Sequence, residues 1–212
     1  MDAGGSRSYR AAGSVATLAQ GLLYGTAGLA AVAALLAWLR GLDPFRASPL
    51  EAVVWLVQLV VWVAAFVITL RWIYLANNNA RALGADDMIV TPGWAVGWFF
   101  VPLLNLAMPF IAVREMWKAS ANPRDWQVEH APLTIPLWWG FWIAAGITGA
   151  IAFRMDMESG KEVGSAADTF YFASDLLTVP ALLLLARIIS GIQAMQARLA
   201  PDSAEALKDR FA

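Results

Sequence analysis

The sequence predicts an all-α fold, a polytopic integral membrane helical bundle. Three observations predict it. Hydrophobic residues make up 59% of the 212 and charged residues 15%, where a soluble domain carries about half and about a quarter. The apolar residues are blocky: 11–39, 52–70, 88–113 and 132–153 contain no Asp, Glu, Lys, Arg or His, and a run of about 18 or more such residues can cross the hydrocarbon. The block at 88–113 is interrupted by Pro102, Asn105 and Pro109. The expectation is therefore a single membrane domain over residues 1–212, with four full spans plus one Pro-broken membrane segment, re-entrant or a kinked fifth span.

The first span is expected at about 15–39. Its apolar stretch is about twice the length of a signal-peptide core of about 7–15 residues, so it reads as uncleaved, with processing near Ala30–Ala31 as the alternative. Gly21, Gly25 and Gly28 share a helix face smooth enough for close helix contact. The second span, 52–70, starts well: Ser48 can cap, Pro49 suits the first helical position, and Glu51 completes a capping box. No proline follows until after Gly84, a natural C-terminal cap. The helix should extend to about residue 83, about 48 Å in all, carrying Trp72 and Tyr74 to the interface and Asn77 to Asn79 and Arg81 into the headgroups or beyond.

Thr91 and Pro92 repeat the cap logic and open the broken segment, 92–119, which Asn122-Pro123 closes. A span at 132–153 follows, with Trp138 and Trp139 near its start and close-packing positions at Gly140, Gly146 and Gly149. The last span, 169–195, holds Asp175 and Arg187, which a tilted helix would let snorkel towards opposite interfaces. Beyond Arg187, Ile188, Ile192, Met195 and Leu199 make a helical stripe, and 200–212 is a polar C-terminal tail.

Charge placement separates the two readings of the broken segment, because Lys and Arg accumulate on the cytoplasmic side. If it crosses fully, six basic residues face nine. If it re-enters, Arg7, Arg10, Arg71, Arg81, Arg114, Lys118, Arg124, Arg187, Arg198, Lys208 and Arg210 share one side, and Arg40, Arg46, Arg154 and Lys161 remain opposite. Eleven against four favours four spans, with both termini cytoplasmic.

The composition also bounds chemistry. With no cysteine and a lone His130 in a polar loop, thiolate catalysis, iron–sulfur clusters, Cys-based zinc sites, a bis-histidine haem and a Ser-His-Asp triad in the membrane have little to work with. A net charge of −1 gives no basic field for nucleic acid. No cofactor or catalytic residue is indicated.

The stretches "RWIYLANNNARALGA" and "TPGWAVGWFFVPLLNLAMPFIAVREMWKAS", with the Trp138–Trp139 pair after them, resemble a bacterial membrane family catalogued as domain of unknown function 4328. The similarity runs from about Arg71 to Trp142. Phe110 matches the aromatic that usually follows the second proline. Met108 departs from the aromatic or basic residue often found before it, which removes such a contact from what the resemblance implies there. The resemblance implies a multi-pass protein of the bacterial cytoplasmic (inner) membrane; it does not imply an activity.

Candidate sites follow from polar residues where polarity is expensive. Asn105, between Pro102 and Pro109, either satisfies backbone groups that the prolines leave open or binds a cation or small polar solute with them. Asp175 is a relay candidate or a structural partner of Arg154 or Lys161. Gln58 reads as an interhelical hydrogen bond. Arg71, Asn78 and Arg81, with Arg114, Glu115 and Lys118, form either a cytoplasmic platform for lipid phosphates or solvated helix ends. The tryptophans fit aromatic belts. Asp86–Asp87 and Glu129–His130 read as solvated loop pairs. The expected function is a non-enzymatic scaffold, sensor or accessory module in the lipid bilayer, acting on a membrane-protein partner or as a homo-oligomer. The alternative is a small-solute or ion pathway built on Asn105 and Asp175.

Overall fold

A computed structural model describes residues 8–41, 49–159 and 166–200. Among them the regular structure is helical, without strands: α1 (Gly13–Gly41), α2 (Pro49–Ala82), α3 (Pro92–Gly97), α4 (Met108–Ala121), α5 (Thr134–Ser159) and α6 (Ala166–Leu199). Short 3₁₀ turns at Trp98–Phe100, Leu104–Leu106 and Pro123–Asp125 join them. Four stretches are long and apolar enough to cross a membrane, Gly13–Leu39, Leu56–Ala82, Thr134–Glu158 and Ala166–Leu199. The fold is that of a multi-pass membrane protein.

Local chemistry sets the boundaries. α2 begins at Pro49, where a ring with no N–H is harmless; Ser48, the expected cap, lies outside the described residues. The helix runs for 34 residues, about 51 Å, and stops because Gly84 takes a φ of +104°. Its N–H then donates to Arg81 O (3.1 Å), and that of Ala85 reaches back to Ala80 O (3.1 Å), closing the end as a left-handed C-terminal residue does. α6 passes through Pro180, a break that membrane helices tolerate when neighbouring groups satisfy the freed backbone.

The chain divides into two compact units. One comprises Leu18–Ile68 and Leu133–Arg187. Many of its buried positions are small, Ala19, Ala27, Ala30, Ala33 and Ala34 of α1, Ala65 of α2, Ala145 and Ala152 of α5, and Ala181 and Ala186 of α6, packed with the larger Leu23, Ile135, Trp138 and Leu182. Large side chains such as Leu35, Leu56, Leu59, Val60 and Phe153 point outward. This is the arrangement a lipid solvent selects, because tails are as apolar as leucine and helices gain by approaching closely. Within this unit the glycine face expected to serve that purpose stays largely open. Gly21, Gly25 and Gly28 are exposed; a Cβ at Gly25 would come no nearer than 3.9 Å to Val61, and Gly21 and Gly28 face open space. Gly149 of α5 does pack, against Ser174 of α6, whose hydroxyl donates to Ala145 O at 2.9 Å.

The other unit comprises Thr69–Pro132, with residues 8–17 and 188–200 among those described. Its core holds Trp72, Ile73, Ala76 and Ala80 of α2, Val90, Val113 and Met116 of the loop and α4, and Ile188, Ile189 and Ile192 of α6. Trp72, expected at the lipid interface, is fully buried, while Tyr74 two residues on is exposed. A helix turns about 100° per residue, so these two rings lie on opposite faces.

Candidate functional site

In the second unit the end of α2 is a polar hub. Asn77 is fully buried and donates from Nδ2 to Val90 O at 3.0 Å. Arg81, one turn on, donates from its guanidinium to Met88 O (2.9 Å), Val90 O (3.1 Å) and Asn77 Oδ1 (3.3 Å). From the other side Glu115 of α4, only 4% exposed, accepts the N–H of Ile89 on one carboxylate oxygen and the N–H of Val90 (3.0 Å) on the other. Segment 88–90 thus has its carbonyls held by a cation and its amides by an anion, the charge-assisted form of the hydrogen bond.

Asn79, also fully buried, holds the backbone of Arg10 on both sides of its Cα, accepting its N–H (2.9 Å) and donating to its C=O (2.8 Å). Gln196 of α6 is fully buried too and donates to Ala76 O (2.8 Å) and Ser120 Oγ (2.9 Å). Lys118 donates to Gln127 O at 2.8 Å and lies over the Trp126 ring, and Trp126 Nε1 donates to Asp86 O at 2.8 Å.

Of the six expected platform residues, Arg81, Glu115 and Lys118 are thus engaged with loop backbone. Arg71 and Arg114 are exposed and Asn78 is half-buried; Arg114 lies over the Phe110 ring, 5.6 Å from its centre. Asn77, Asn79, Ser120 and Gln196 carry the network but do not stand out in the sequence. A signal existed for Gln196: it follows the buried Ile189 and Ile192 at spacings of seven and four, continuing the stripe that Met195 and Leu199 were expected to extend.

The broken segment lies in the same unit. Thr91 caps α3, with Pro92 first in the helix, and the Trp94 N–H lies 3.4 Å from Thr91 Oγ1. Trp94 and Trp98 stack, centroids 4.4 Å apart. Pro102 forces the residue before it out of the helical region, and Val101 is extended at φ −95°, ψ 114°. Leu103 then adopts φ 66°, ψ −44°, and the Leu104 N–H donates to Pro102 O at 2.8 Å, a γ-turn of the rare, strained form. Pro109 sits in the first turn of α4, and α3 packs against α4.

The tip between the arms is apolar and open, with Phe100, Leu103, Leu104 and Leu106 all exposed. Asn105 is half-buried within it; its backbone N–H donates to Val101 O at 2.9 Å. Pro102 is exposed and Pro109 buried.

In the first unit Asp175 is 9% exposed and accepts a hydrogen bond from the Gln58 side chain. The neighbour shown is a neutral amide; Arg154, one expected partner, is exposed, and Lys161, the other, lies outside the described residues. Burial also removes Asp175 from the snorkelling role, while Arg187 is exposed. Asp175 and Gln58 belong to one unit, and Asn105 and the residues around Glu115 to the other.

The profile of the family described as domain of unknown function (DUF4328) matches residues 44–194, well over half of the chain. No curated protein and no solved structure matches it.

Proposed function

Because the chain belongs to the family described as domain of unknown function 4328, whose description names no activity, we propose from its geometry that it is a non-enzymatic membrane module, a scaffold or accessory subunit. One observation carries this reading. Glu115 and Arg81, the buried acid and half-buried base at the helix ends, are spent on the backbone of 88–90. A general acid or base needs its proton-carrying atoms within reach of a substrate; here both carboxylate oxygens are occupied by the protein itself. The partner is a membrane protein or a second copy of the chain, within the lipid bilayer.

We place the protein in the bacterial cytoplasmic membrane with both termini cytoplasmic and the hairpin of α3 and α4 dipping into the bilayer as a re-entrant segment. The exposed Phe100, Leu103, Leu104 and Leu106 support this, since a contiguous apolar tip is costly in water and at home in lipid. So does the eleven-to-four division of basic residues. Single cysteines at Asp86 and Arg124, exposed positions in a cysteine-free chain, test the topology. Labelling of both from one side supports the hairpin; labelling from opposite sides overturns it.

A second reading, a small-solute or ion pathway, keeps one observation in its favour. The carboxamide of Asn105 forms no hydrogen bond with any of the described residues, so its polar atoms are available to a ligand. Proteoliposomes holding the full chain decide between the two. Leak rates for protons, potassium ions and small polar solutes equal to those of empty vesicles support the module. Flux that Asn105→Ala abolishes, with the fold intact, overturns it.

A further inference from the structure

Asp175 is the acid that the spans do not explain. It is buried on α6 and faces Gln58 of α2. The other polar atom of that amide, Gln58 Oε1, is itself buried and has no donor. Among the described residues no cation pairs with it. The stretches 13–39 of α1, 53–70 of α2 and 134–153 of α5 contain no Lys, Arg or His. The nearest titratable groups along α6 are Tyr171, which pairs with Asp156 of α5, and Asp168; the nearest base on that helix, Arg187, is exposed. Tyr24, the titratable residue of α1 between 13 and 39, is 51% exposed.

A carboxylate can only accept hydrogen bonds, whereas a carboxylic acid offers one donor and one acceptor. A carboxamide offers the same pair at nearly the same spacing. The two groups therefore close a ring of two hydrogen bonds when, and only when, the acid carries its proton. Which amide atom is nitrogen does not alter this, since the acid complements either orientation. We propose that Asp175 and Gln58 form an intramembrane proton-binding site. The Asp175 carboxylate takes one proton from solvent and donates it to Gln58 Oε1, while the Gln58 amide nitrogen donates to the other Asp175 oxygen. Loss of the proton breaks one of the two bonds and leaves a buried acceptor and a buried charge, both costly in a membrane. The pair is thus a protonation-sensitive tie between α2 and α6. It stands apart from the scaffold reading and does not depend on it.

Infrared spectroscopy of the full chain in lipid nanodiscs tests the proposal at neutral pH. The wild-type protein should show a carboxylic-acid carbonyl band that shifts on ¹³C-aspartate labelling, vanishes in Asp175→Asn, and moves to higher frequency in Gln58→Leu, where the ring is broken. Circular dichroism checks that the variants keep their helices. If Asp175→Asn fails to fold, the labelled wild type and Gln58→Leu still decide. No acid band in the labelled wild type overturns the proposal, as does a band that persists in folded Asp175→Asn or ignores Gln58→Leu.

Discussion

Asn79 binds the backbone N–H and C=O of Arg10 as a neighbouring strand would, with one bond in each direction (2.9 and 2.8 Å). The side chain of a buried helix end thereby fixes the segment that leads into α1, and no β-partner is needed. Asn79→Ala removes both bonds and leaves the Arg10 N–H and C=O without their partner, a loss of about 1–3 kcal/mol. We expect that decrease in denaturant unfolding of the micelle-solubilised protein, with faster protease cleavage before Gly13. Asn78→Ala, at the half-buried neighbour, should stay within about 0.5 kcal/mol.

Glu115 is the most informative single charge to remove. Glu115→Gln keeps the shape but turns an amide NH₂ towards one of the two backbone N–H donors at Ile89 and Val90. Bonds to a charged acceptor contribute about 1.5–3 kcal/mol each, so the variant should lose about 2–3 kcal/mol. Hydrogen exchange at the Ile89 and Val90 amides should rise well above the rate of α4. The control is Arg114→Ala: that side chain is exposed, and its removal should change unfolding by no more than about 0.5 kcal/mol.

Gly191 of α6 lies beneath the indole of Trp117, and a Cβ there would overlap the ring. Gly191→Ala should destabilise by about 1–3 kcal/mol, the usual cost of overpacking. In a Trp117→Leu background the same change should cost measurably less, and the difference between the two arms of that double-mutant cycle reads the contact directly.

Leu103 combines a positive φ with 80% exposure, so its side chain has little to lose and its backbone much to gain. Leu103→Gly should stabilise the protein in detergent by about 1 kcal/mol. Leu103→Ala, which keeps a Cβ, should not. A gain in both variants would mean that the side chain, not the turn, is the source.

The long helices were legible because charge-free runs and caps are written locally. The absence of proline between Pro49 and Gly84 and the glycine at the end predict the overshoot of α2, and Thr91-Pro92 and Asn122-Pro123 mark ends that the structure reproduces. The polar network was not legible. Three successive asparagines differ only in helical phase, and the structure buries Asn77 and Asn79 while Asn78 turns partly outward. The partners of Glu115 are backbone amides, which every residue except proline carries, so no pattern announces them. Gly21, Gly25 and Gly28 do not mark the face of α1 that is buried within this chain, because small residues permit close approach without causing it, and alanines fill that face.

The hub at the end of α2 also imposes an order on assembly during chain synthesis. Its first attachments, Arg10 and segment 88–90, are short-range in time: one is made before α2 and the other follows it directly. Gln196 arrives last, 120 residues after Ala76 and 76 after Ser120. Domains begin to fold from the N-terminal side while the ribosome is still elongating. The nascent protein therefore carries a part-built cap whose final bolt is supplied by its last described helix. A ribosome stalled before Gln196 would hold a chain with α1, α2 and α5 already synthesised, α6 unfinished and that joint still open.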